Sequence, residues 1–113
     1  MSATGNCYEA AGKFMMDACI FNDCSDIVLV HGEVAGQGAL EGETFGHAWI
    51  LKAGTVIDKS NGRDLQLPQQ IYYMLGQIDN IGNTHEYTWE QARELITKNE
   101  HWGPWDLETA SGL

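Results

Sequence analysis

Basic residues are scarce: the chain has six Lys and Arg against sixteen Asp and Glu, a formal net charge of −10. Such a balance repels phosphate backbones and anionic headgroups, which excludes nucleic acid and membrane surfaces as direct partners. The acidic residues are scattered and form no block, so the charge reads first as solubility and second as an acidic surface fitting a basic groove on a partner. No apolar run approaches the length of a membrane span, and the first six residues carry no positive region leading into an apolar one, so a cytoplasmic protein is expected. No CxxC or HxxxH pair exists to build a compact ligand set, and neither a metal nor a cofactor is expected. Three cysteines cannot all pair within one chain, and in a reducing compartment Cys19 and Cys24 are expected to remain thiols.

Repeats, low-complexity tracts and linkers are also missing. At 113 residues the chain fits one domain over 1–113, with 1–5 and 107–113 loose, and it is long enough to bury a core without metal support. Asn6 is a suitable N-cap for a helix from Cys7 to about Ala18, in which Cys7, Ala11, Phe14, Met15 and Ala18 share one face. Ile27-Val28-Leu29-Val30 reads as a buried strand that Val34 extends, and the glycine-rich stretch 35–43 reads as a loop leading to His47. Beyond the turn Ser60-Asn61-Gly62-Arg63, Pro68 opens a short helix over 69–77 with Ile71, Leu75 and Ile78 at apolar spacing. A strand around His85-Glu86-Tyr87 precedes Thr88, which forms a capping box with Gln91 and starts a helix to about Lys98 that buries Ala92, Leu95 and Ile96. Trp102 and Trp105, separated by Gly103-Pro104, fold back onto the body. An α+β domain follows, with an N-terminal helix on a small antiparallel sheet.

Three residues in this order carry chemistry. Cys7 opens a helix, where the dipole and the free N–H groups of the first turn favour a thiolate, whereas Cys19 and Cys24 lie at the other end and beyond it. His47 sits in Phe45-Gly46-His47-Ala48-Trp49-Ile50, where small neighbours leave room for a substrate and Trp49 can wall it. His31, His85 and His101 compete with His47, and any of the four histidines can be a solvated surface group, but only His47 lies in a strongly strand-like segment between Gly46 and Ala48. Asp58 closes the apolar run Val56-Ile57, so its carboxylate needs a hydrogen-bonding partner, and His47 is available. The turn decides whether they meet. With Ala53-Gly54 as a two-residue loop, Lys52 faces Thr55 and His47 and Asp58 lie diagonally on one face; a three-residue loop puts Asp58 on the other face, and a four-residue loop restores it.

Gly-Asn-Cys-Tyr-Glu-Ala-Ala at 5–11, Gly-His-Ala-Trp-Ile at 46–50 and Val-Ile-Asp-Lys-Ser-Asn-Gly at 56–62 resemble the Cys, His and Asp motifs of the papain-like superfamily, nearest its transglutaminase-like branch. The resemblance covers about half of the chain. It implies a papain-like core with Cys7 as nucleophile, His47 as general base and acid, and Asp58 as the group that orients His47. The implied activity is that of a small cysteine hydrolase or acyltransferase acting on an amide, isopeptide or thioester bond in a protein, a peptide or a small amide. Donors for the oxyanion are sought in the Cys7 backbone N–H, the Asn6 side chain and Gln37 of the glycine-rich loop. The alternative function is an acidic binding or inhibitor protein that keeps the fold without turnover.

Overall fold

The computed structural model describes residues 7–21, 26–35, 44–59, 64–76, 78, 84–103 and 105. Its elements run α1 (Cys7–Phe21), β1 (Ile27–Ala35), β2 (Thr44–Lys52), β3 (Thr55–Asp58), β4 (Leu65–Pro68), α2 (Gln69–Gly76), β5 (Thr84–Tyr87) and α3 (Trp89–Asn99). The fold is α+β: the strands form one antiparallel five-stranded sheet in the order β4-β3-β2-β1-β5. Among the described residues no helix is long and apolar enough to cross a membrane.

Alternation along the strands splits the core between the two faces of the sheet. One face packs Leu29, Ala48, Ile50 and Ile57 against Cys7, Ala11 and Met15 of α1 and Ala92 of α3. The other packs Val30, Val34, Trp49 and Val56 against Tyr73 of α2. The face of α1 is the one its periodicity predicts, and the helix runs one turn further, to Phe21.

Helix α2 differs from expectation. Ile71 and Leu75 are exposed at 42% and 58%, and the helix packs through Tyr73 and Tyr72 instead. Aromatic rings bury more area than aliphatic side chains and carry a hydroxyl to a polar partner, which outweighs the aliphatic spacing. Thr88 and Gln91 form the expected capping box of α3, whose Ala92 is buried while Leu95 is only partly so. Trp102 and Trp105 pack on the α1 side of the core, and Gly103 passes so close to His31 that a Cβ there would lie 2.5 Å from the imidazole. His31 is thus no surface group: it is fully buried between the rings of Tyr8, Tyr87 and Trp105.

Cys7 is free but Cys19 is disulfide-bonded, which corrects the expectation of reduced thiols; Cys24 lies outside the described residues.

The β2–β3 turn is the two-residue one, with Lys52 opposite Thr55, Leu51 opposite Val56 and Ile50 opposite Ile57. Ala53 and Gly54 have φ of 50° and 85°, the left-handed pair that matches the twist of a tight hairpin. Backbone bonds from Ala53 N–H to the Asp26 carbonyl and from Gln69 N–H to the Gly54 carbonyl hold the turn on both sides. A Cβ in the left-handed region costs about 1 kcal/mol, and Asn tolerates it better than Ala. Ala53→Asn should therefore raise stability by about 0.5–1 kcal/mol and the melting temperature by about 3–5 °C in calorimetry.

Candidate active site

Cys7, His47 and Asp58 come from three elements and meet in the interior, each less than 5% exposed. Cys7 is the first residue of α1, so its side chain lies at the positive end of the helix dipole. Its helix packs on the sheet face opposite to that of Trp49 and Val56, yet Cys7 lies near enough to His47 to help raise the imidazole pKa. The β3 strand is short. Its ladder with β2 covers only Ile50, Leu51 and Lys52, so His47 has no partner on β3 and pairs only with Gly32 of β1 on its other side.

His47 Nε2 lies 3.2 Å from Asp58 Oδ2, so an ionised Asp58 accepts the Nε2 proton. Burial by itself pushes the imidazole pKa down, because it disfavours the charged ring. Hydrogen bonds and charge interactions with Asp58 and Cys7 more than reverse this and raise it from 6.5 to about 9. His47 is therefore protonated at neutral pH in the folded protein.

The sign of the pH dependence follows. A pKa raised by folding gives stability that is complete below 6.5 and disappears as pH rises through 9. Chemical denaturation should show stability falling by about 3 kcal/mol between these limits, and a His47→Gln variant should lose most of that slope.

Trp49 is fully buried and stacks on His47, with ring centroids 6.2 Å apart, while Tyr72 and Tyr73 close its other sides at 5.5 and 5.7 Å. It forms an inner wall of the site. Asn6 and Gln37, the candidate oxyanion donors, lie outside the described residues. A surface depression of about 510 Å³ lies elsewhere, between β5 and α3, lined in part by His85, Glu86, Gln91 and Glu94.

One residue of the site escaped the sequence reading. Tyr72 of α2 donates its hydroxyl to Asp58 Oδ2 at 2.8 Å, on the oxygen that also receives His47. The available signal was a pair of tyrosines in an uncharged helix next to a buried carboxylate that needed more than one donor.

No family model, curated protein or solved structure matches the chain.

Proposed function

We propose that the protein is a small cysteine hydrolase or acyltransferase with a papain-like, transglutaminase-like core. It acts on an amide, isopeptide or thioester bond of a protein, peptide or small amide. The observation that carries this reading is that one buried imidazole meets both a helix-start thiol and a carboxylate.

The thiolate of Cys7 attacks the substrate carbonyl carbon, and the carbonyl electron pair moves onto oxygen. As the tetrahedral intermediate collapses, the carbon–nitrogen or carbon–sulfur bond breaks and the leaving group takes the proton of His47. This leaves an acyl thioester on Cys7. Water or an amine then attacks it while His47 takes back a proton, and the second collapse releases the product and regenerates the thiolate. Asp58 orients the ring and stabilises the imidazolium without accepting the proton.

Alkylation tests this reading without a known substrate. Site-resolved mass spectrometry should find Cys7 labelled by iodoacetamide at neutral pH, at a rate at least tenfold lower in His47→Ala. Equal rates in the two proteins would remove the activated thiol.

The complete burial of Cys7 favours a second reading, an acidic binding protein that keeps this core without turnover. On that reading Cys7→Ala keeps the biological effect, whereas a hydrolase or acyltransferase loses it.

A further inference from the structure

We propose that Tyr72 is a positioning residue of the Cys7-His47-Asp58 system: its hydroxyl shares Asp58 Oδ2 with His47 and draws off part of the charge on that oxygen, which sets how strongly the carboxylate holds the imidazole. The inference rests on the cysteine-nucleophile reading for its catalytic meaning, but its geometry stands independently.

Two donors converge on Asp58 Oδ2, and the tyrosine bond at 2.8 Å is shorter than the histidine one at 3.2 Å. Asp58 is 1% exposed, so little water competes for that oxygen, and each donor governs how strongly the carboxylate interacts with the other. Packing alone does not require the hydroxyl, because a phenyl ring would make the same contact with Trp49 at 5.5 Å. Trp49 in turn stacks on His47. Tyr72 therefore touches the site twice, once through the carboxylate and once through the indole. It also brings α2, an element outside the sheet, into control of the imidazole.

Among the described residues, the charged and titratable groups facing His47 include Cys7 from α1 and Asp58 from β3, with Tyr72 from α2 one step behind. A hydroxyl donating to a carboxylate weakens the pull of that carboxylate on a neighbouring imidazolium. Taking the hydroxyl away leaves Asp58 a stronger partner for His47 and extends the imidazolium to higher pH.

The test is the titration of His47 followed by NMR of its ring nitrogens in the full chain, wild type against Tyr72→Phe. The midpoint should rise by about 0.5–1 pH unit, whereas a midpoint that stays or falls overturns the proposal. The same replacement in an Asp58→Asn background, where the carboxylate charge is gone, should leave the midpoint unchanged. An equal rise in that background would show that the effect does not pass through Asp58 and would also overturn it. Because the readout needs no substrate, it is separable from the enzymatic reading: loss of Cys7 alkylation dependence on His47 would sink the latter alone.

Discussion

Asp58→Ala is expected to destabilise the fold by about 3–5 kcal/mol, measured by denaturant titration, and to lower any turnover by about 10²–10⁴-fold. The size follows from what the carboxylate holds. Two donors, the buried His47 Nε2 and the hydroxyl of half-buried Tyr72, end on the same oxygen, and truncation to alanine leaves both without that acceptor. Each orphaned donor costs about 1–3 kcal/mol. The imidazolium also loses a charge partner that offsets its burial, so its pKa should drop from about 9 back toward or below 6.5. On the cysteine-nucleophile reading, a neutral ring removes the positive charge beside Cys7, and alkylation at pH 7 should slow by at least about tenfold. Asp58→Asn is the informative control. An amide oxygen still accepts a hydrogen bond, and Cys-His-Asn arrangements orient the ring as Cys-His-Asp ones do. The amide variant should therefore keep most of the stability and a larger share of the activity. If alanine and asparagine behave alike and both leave Cys7 alkylation at the wild-type rate, Asp58 does not support His47.

What could be read from the sequence was local. The stripe of Cys7, Ala11 and Met15 at helical spacing fixes the buried face of α1, and Thr88 with Gln91 fixes the start of α3. Both depend on residues within two turns of one another. The β2–β3 register was narrowed to turns of two, three or four residues but not chosen among them; the structure takes the two-residue one, with Ala53 and Gly54 in the left-handed region. What escaped was non-local. Nothing near Tyr72 signals that it will meet Asp58 fourteen positions away, since the contact exists only once α2 has folded back over the sheet. The aliphatic periodicity of α2 was misleading for the same reason: the larger area of Tyr72 and Tyr73 chose the buried face, and Met74 was left 70% exposed. His31 carries no local sign of burial either. Its surroundings come from α1, β5 and the segment after α3.

The turn that sets the register offers the sharpest perturbation. Deleting Ala53 removes the two-residue loop, and since a one-residue hairpin loop is not available, Lys52 and Gly54 must form the new turn. β3 then slides by one residue, so that Thr55 faces Leu51 and Asp58 comes opposite Ala48, on the α1 side of the sheet. Val56, now wholly buried against α2, and Ile57, now on the α1 side, exchange faces. A carboxylate enters an apolar cluster while His47 loses its acceptor, so a loss of about 4 kcal/mol or more is expected, together with loss of the raised His47 titration. Deleting Lys52 and Ala53 together makes a two-residue slide. That places Asp58 directly opposite His47 and returns every β3 side chain to its own face, so the double deletion should recover part of the raised titration despite removing more of the chain. Parity, and not strand length, is what the pair of deletions compares. If the single deletion retains the His47 titration and the double one loses it, the register of β2 and β3 does not position the site.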